Sequence, residues 1–430
     1  MGEVVVRTSL LWVAGLSAVV FAVAVAVAAC RGMQPATPLM MTVTTRSVIA
    51  ATSLPRTAVP SATAATPQAS TAALRSVYTR PAKLWPKPWL DPGIAASELA
   101  PLPAMPYPTR NPSFQPKETL GRLLFFDPRL SGSGQIACAS CHDPQLGWAD
   151  GKRLSIGFAR AEGVMNAPSI ANSGYEQSLF WDGRAASLEE QIPGSLRNPV
   201  EMNTHVARAT ARIAAIRAYR PFVVAAFGDA RVNWQRLCDA IATYVRSIQL
   251  RDTPFDRFLQ GDTQALSDSA VRGLHLFRTK ARCMNCHSGA LLSDGQYHHL
   301  STSFYGVGNF EGRYAVTHDS ADMGRFRTPG LRGVAHTGPW MHNGLINDLD
   351  GLLALYNMGW WQNSKPDPAI ADTAFAQLDR RIRPLHLGLQ ELADLKSFLL
   401  SLSPPPQYQP QPELPGVPAP KRATPATRQP

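Results

Sequence analysis

At 430 residues the chain has room for two ordinary domains and an export segment, and 45% hydrophobic content is enough for a sizeable core. It carries 42 Lys and Arg against 31 Asp and Glu, a formal charge of +11, together with an excess of proline. The Arg residues are scattered and no Lys/Arg run interleaves with aromatics. That pattern argues against nucleic acid and for a basic surface that steers an acidic redox partner or an anionic ligand.

After Arg7 an almost unbroken apolar run starts at Leu10 and ends in Val27-Ala28-Ala29-Cys30. An apolar segment closed by small residues reads as a secretory signal over residues 1–29. A Cys at that point resembles a bacterial lipobox, in which Cys30 is lipidated and begins the mature chain. An uncleaved anchor is the competing reading, since about 20 apolar residues can span a bilayer. Both readings put the remainder on the periplasmic side of a bacterial membrane.

Residues 30–113 are rich in Ala, Pro, Thr and Ser with little periodicity, so they are expected to form a lipid-anchored flexible stalk. The last part of this segment, Leu84 to Pro112, carries Trp85, Trp89 and Tyr107 and is expected to pack on the folded body. Residues 405–430 form a Pro-rich tail, expected to be disordered. Between stalk and tail the periodicity is helical. Leu237, Ile241, Tyr244, Val245 and Ile248 make one apolar stripe, and Leu392, Leu395, Leu399 and Leu402 another. Two stretches share an order of apolar helix, Cys/His cluster and polar loop: Leu120–Phe126 before Cys138, and Gly273–Phe277 before Cys283. This weak repeat predicts a mainly α fold with two related domains, 114–252 and 253–404.

Cys138-Ala139-Ser140-Cys141-His142 and Cys283-Met284-Asn285-Cys286-His287 both have C-x-x-C-H spacing. Two thiols three residues apart can reach both vinyl groups of one haem, and the adjacent His then lies under the iron. A zinc site would want further Cys/His pairs nearby, and a dithiol redox pair needs no following His. The motifs therefore predict two covalently bound haem c groups, with His142 and His287 as iron ligands. Cys238 falls on the first apolar stripe and reads as a buried core thiol.

Several segments extend this reading. Leu120 to Ser131, Asn166-Ala167-Pro168-Ser169, Phe180-Trp181-Asp182-Gly183-Arg184-Ala185, Val200-Glu201-Met202-Asn203, Pro254 to Phe258 and Phe326 to Arg332 together resemble the bacterial dihaem cytochrome c peroxidase and MauG family. The resemblance runs from about residue 112 to 402. It implies two packed cytochrome c-like domains, a peroxidatic N-terminal haem and an electron-transfer C-terminal haem. Many family members block the first iron with a His that closes a Ser-Ile-Gly-His run. Here the run reads Ser155-Ile156-Gly157-Phe158, and phenylalanine cannot ligate iron. The first haem is thus expected to have an open face, unless His205 replaces the lost ligand.

By the same resemblance Glu201 is the distal acid–base group, Gln191 the distal glutamine and Trp181 the aromatic between the haems. One carboxylate over the iron can take a proton from bound peroxide and return it to the leaving oxygen. Leu349, Leu352, Leu353 and Tyr356 share one helix face, and the resemblance makes Tyr356 the sixth ligand of the second haem, with Met358 as competitor. A phenolate lowers the potential of that iron and a thioether raises it. The Asn166 side chain and the carbonyls of Thr337 and Pro339 resemble the family's calcium site. The implied function is a peroxidase that reduces hydrogen peroxide with electrons from a small redox protein, a cytochrome c or copper protein. The alternatives are a MauG-like oxidase that modifies a protein substrate through ferryl haem chemistry, and a non-catalytic electron-transfer protein.

Overall fold

The computed structural model describes residues 70–302, 311–360, 376–405 and 409–418. The expected signal sequence, Cys30 and the first part of the stalk lie outside the described residues. No helix among the described residues is long and apolar enough to cross a membrane.

The chain is mainly helical. Its helices are α1 (Thr71–Tyr78), α2 (Gln115–Phe125), α3 (Leu188–Arg197), α4 (Val206–Ala215), α5 (Arg220–Phe227), α6 (Trp234–Ser247), α7 (Pro254–Leu259), α8 (Asp268–Arg278), α9 (Tyr314–Thr317), α10 (Leu349–Met358) and α11 (Leu389–Leu400). A two-residue strand β1 (Tyr297–His298) pairs antiparallel with β2 (Phe326–Arg327). Two apolar cores form. One gathers α2 to α6; the other gathers α1, α7, α8, α10 and α11.

The same helix crossing organises both cores. In the first, α2 packs on α6, whose predicted stripe from Leu237 to Ile248 is buried. Asn233 caps α6 by accepting the Arg236 amide at 2.9 Å. The two helices touch at Gly121, where a Cβ would lie 1.9 Å from the Ala240 carbonyl oxygen. In the second core α8 packs on α11 through Gly273, whose Cβ would lie 2.0 Å from the Asp394 carbonyl oxygen. Ser267 caps α8 on the Ala270 amide at 3.1 Å. Only glycine allows backbones this close, so the weak repeat seen in sequence marks a shared packing geometry.

Two expectations need correction. Trp85 and Leu99 pack in the second core, as expected for Leu84 to Pro112, but the packed part of the segment begins earlier: α1 also buries Leu74 and Tyr78 there. These apolar residues are few and diluted by Ala, Pro and Thr, so average composition concealed them. The tail is also not wholly free, since Leu414 packs against the first core. Arg122 donates to the Pro410 carbonyl (2.6 Å) and Arg129 to the Pro415 carbonyl (2.9 Å). A proline-rich strip has few N–H groups of its own but keeps every carbonyl, which suits it to Arg donors.

Candidate active site

Each C-x-x-C-H motif forms a short 3-10 turn, Cys138–Ser140 and Cys283–Asn285, closed by the His amide. The His142 amide donates to the Cys138 carbonyl at 3.0 Å, and the His287 amide to the Cys283 carbonyl at 2.8 Å. The side chains are oriented alike. His142 Nδ1 lies 3.1 Å from the Trp148 carbonyl and His287 Nδ1 2.9 Å from the Leu292 carbonyl. A carbonyl can only accept, so Nδ1 carries the proton and Nε2 keeps its lone pair for a metal. Burial pushes both imidazoles below the usual histidine range, which keeps them neutral ligands.

Around the first motif the fold gathers the expected acid–base residues. Gln191 and Ser195 are one turn apart on α3, and Gln191 Nε2 donates to Ser195 Oγ at 2.9 Å. Glu201 accepts from Asn198 Nδ2 at 2.6 Å, and the nearby Ser195 lowers its carboxyl pKa. Ser195 is thus bonded to one predicted residue and close to the other. Burial pushes the Glu201 carboxyl above the usual range, moderated by Ser195, Asn198 and the charge of Arg184. Its charge in turn is felt at both Cys138 and Cys141, which puts the carboxylate in the neighbourhood of the haem-attachment pair.

Phe158 is half-buried beside this network. Its amide donates to the Glu201 carbonyl at 2.7 Å, and its ring edge lies against Gly132. The next two residues, Ala159 and Arg160, both have positive φ (52° and 63°), a strained turn that fixes the loop against the Glu201 segment. His205, the alternative ligand, is exposed at the N-cap of α4.

The second motif opens on a cavity of about 240 Å³, lined by Cys283, Cys286, His287 and Tyr356. The predicted α10 stripe holds, since Leu349, Leu352, Leu353 and Tyr356 all line this cavity. Met358 is instead 62% exposed and turned away. Burial, with the charges of Cys286 and Cys283, pushes the Tyr356 hydroxyl well above the usual tyrosine range, so the phenol shares its space with the motif. Two thiols, one imidazole with a free Nε2, an opposing phenol and apolar walls are a donor set that fits haem c. Metal binding would reverse the burial effect on Tyr356.

Trp181 comes from the first half but lines the second cavity. Its Nε1 donates to the Asn166 carbonyl (2.9 Å), and its own carbonyl accepts the Arg327 amide (2.8 Å) across the junction of the two halves. The Arg327 guanidinium also pairs with Glu176 at 2.9 Å. Asn166, Thr337 and Pro339 line the same cavity. Asn166 Nδ2 donates to the Lys152 and Arg153 carbonyls (2.9 and 3.3 Å). Sequence reasoning missed Ser195 and the Glu176–Arg327 pair. Ser195 was findable, because it lies four residues after Gln191 on one helix face.

Comparison with known proteins gives the family. The family model for di-haem cytochrome c peroxidase matches residues 115–264. A cytochrome-c peroxidase IdrP1 of Pseudomonas sp. (strain SCT) is 36% identical over 338 residues, covering 71% of this chain and 85% of that one. The methylamine utilization protein MauG of Methylophilus methylotrophus is 36% identical over 304 residues, covering 70% and 86%. A crystal structure of a MauG-like protein associated with microbial copper homeostasis superposes with a TM-score of 0.62 at 31% identity, covering 73% of this chain and 95% of that one. Two haem-attachment loops on a repeated helix crossing, with relatives of this extent, identify the chain as a haem peroxidase-type oxidoreductase that belongs to the dihaem cytochrome c peroxidase and MauG family.

Proposed function

We propose that this chain reduces hydrogen peroxide at the His142 haem site, with electrons supplied through the His287 site. The observation that supports the reading is the partly buried Glu201, its carboxylate held by Asn198 close to the Cys138 and Cys141 pair and its backbone carbonyl bonded to Phe158, the residue that stands in sequence where a blocking histidine would. Bound haem supplies an iron that binds a peroxide oxygen and exchanges electrons. Glu201 takes a proton from the near peroxide oxygen and delivers it to the far one as water leaves. Its raised pKa suits both roles. Gln191 fixes Ser195 near the carboxylate, which Asn198 holds in place. Trp181, bonded into both halves, lies on the route between the two sites.

A second reading has its own support. Tyr356 on the cavity wall, with Met358 exposed, favours a hard phenolate ligand and a low-potential second iron. That arrangement resembles MauG-type enzymes, which act on a protein substrate. Calcium at Asn166, Thr337 and Pro339, and export with a lipid anchor at Cys30, belong to the same proposal; the calcium rests on these three residues lining one cavity and the anchor on the apolar run that ends at Ala29. The test is the resting paramagnetic resonance spectrum. One high-spin and one low-spin ferric haem are expected, and two low-spin signals would remove the open site. Steady turnover with a reduced small redox protein then separates peroxidase from protein-modifying oxidase.

A further inference from the structure

The segment from Arg80 to Leu90 has no task in the chemistry above, yet it is tied to the second haem-attachment loop. The Trp89 amide donates to the Arg278 carbonyl at 2.8 Å, and the Trp89 carbonyl accepts from Asn285 Nδ2 at 3.0 Å. The Asp91 amide donates to Asn285 Oδ1 at 2.7 Å. Asn285 is buried and immediately precedes Cys286. The Trp89 backbone is therefore one hydrogen bond and one residue removed from a haem-bearing cysteine.

Its ring behaves differently. Trp89 is 55% exposed, and Leu84 on the same segment is 57% exposed. Large apolar side chains left in water on a segment held this firmly mark a contact surface, and Trp is the residue type most enriched at the centre of such surfaces. The surrounding charge has one sign. From Arg80 to Leu90 the charged residues are Arg80, Lys83 and Lys87, all exposed, with no acid among them. Asp91 follows, but both Arg282 and Arg383 pair with it, so one positive charge is left over there. Both arginines also line the second cavity.

We propose that this face, centred on Trp89, docks a small redox protein with an acidic surface, and that electrons enter the second site past Trp89 and Asn285. The proposal rests on the reading of the chain as an oxidoreductase fed by an external donor. In each step one electron leaves the reduced donor and reduces the iron held by His287; no bond forms or breaks and no proton moves. Sign selects the partner. A basic donor would meet a net excess of four like charges, from Arg80, Lys83, Lys87 and the one left over at the Arg282–Asp91–Arg383 cluster, whereas an acidic one gains both steering and register.

The experiment uses full-length holoprotein without peroxide, with reduced flavodoxin as a small, acidic, one-electron probe and the reduced-haem absorbance followed by stopped flow. Failure of the peroxide chemistry therefore leaves the result untouched. Lys83→Glu/Lys87→Glu is expected to lower the second-order rate constant at low salt on the order of tenfold and to flatten its fall with ionic strength. Trp89→Leu is expected both to raise the half-saturation concentration, because the ring is the centre of the contact, and to lower the limiting rate at saturating flavodoxin. An unchanged rate constant and salt slope in the charge-reversed protein would overturn the docking face. An unchanged limiting rate in Trp89→Leu would overturn the entry route.

Discussion

Replacing Glu201 by Gln keeps the shape of the side chain and removes its ability to carry a proton. The amide oxygen can still accept from Asn198 Nδ2, which now sits 2.6 Å from the carboxylate, so the loop that also holds Phe158 should keep its form. What is lost is the base that takes a proton from peroxide and the acid that returns it. Loss of a positioned acid–base group costs roughly two to four orders of magnitude in rate, or about 3 to 5 kcal/mol of barrier. The assay is stopped-flow mixing of oxidised holoprotein with peroxide, read as the change in the haem band, across pH. In the unmodified protein the rate should rise with pH as the carboxyl ionises, at a midpoint above the ordinary 4.5 because burial disfavours the charge. Glu201→Gln should lose that rise along with the rate. A variant that reacts at the original rate, or keeps the same pH profile, would show that another group moves the proton.

The second site gives a spectroscopic prediction: Tyr356→Phe should change the spectrum and raise the potential of the second haem, whereas Met358→Leu, altering an exposed side chain, should do neither. The helix crossings predict stability losses. Gly121→Ala and Gly273→Ala each force a methyl group against backbone, and each should cost about 1–3 kcal/mol or more in a urea unfolding midpoint. A third prediction concerns acid. Glu189 is buried and pairs with Arg246 at 2.6 and 2.8 Å; burial alone would raise its carboxyl, but the bonds from Arg246 and Asn111 outweigh that and hold it at about 2. The folded value lies below the ordinary 4.5, so the stabilisation is complete above 4.5 and disappears as pH falls towards 2. Its size is about 3 kcal/mol, and Glu189→Gln should flatten the acid limb of the stability curve over that window.

Much of this was legible in the sequence because the chemistry is local. Cys138 to His142 and Cys283 to His287 are contiguous, and the stripe from Leu349 to Tyr356 lies on one helix, so spacing alone placed them together. Glu201 and Gln191 were placed by resemblance, and the Ser195 hydroxyl that accepts from Gln191 near Glu201 appeared only with the fold. The N-terminal segment was misjudged for a different reason. Leu74 and Tyr78 sit in an Ala- and Thr-rich stretch, and what orders them is the core of a domain that begins more than 150 residues later. The Pro410 and Pro415 carbonyls are equally silent in sequence, because their donors, Arg122 and Arg129, are nearly 300 residues away.

The repeated frame and its unequal faces explain how one fold can divide its labour. Both halves use a glycine crossing and an imidazole whose Nδ1 is tied to a carbonyl, so both His ligands are presented alike. The difference is confined to what stands opposite. Over the first motif it is a hydrogen-bonded acid, whose cost of burial is offset by Ser195 and Asn198, and a Phe that offers no lone pair. Over the second it is a phenol on an apolar stripe, which offers a lone pair and no proton relay. Trp181 belongs to the first half by sequence and to the second by packing, and its carbonyl bond to the Arg327 amide, beside the Glu176–Arg327 pair, keeps it there. A buried pair of that kind adds little net stability but is expensive to break, so it fixes register between the halves. On the proposed reading, chemistry at one site and electron supply at the other would follow from side-chain choice at a handful of positions, with the scaffold unchanged.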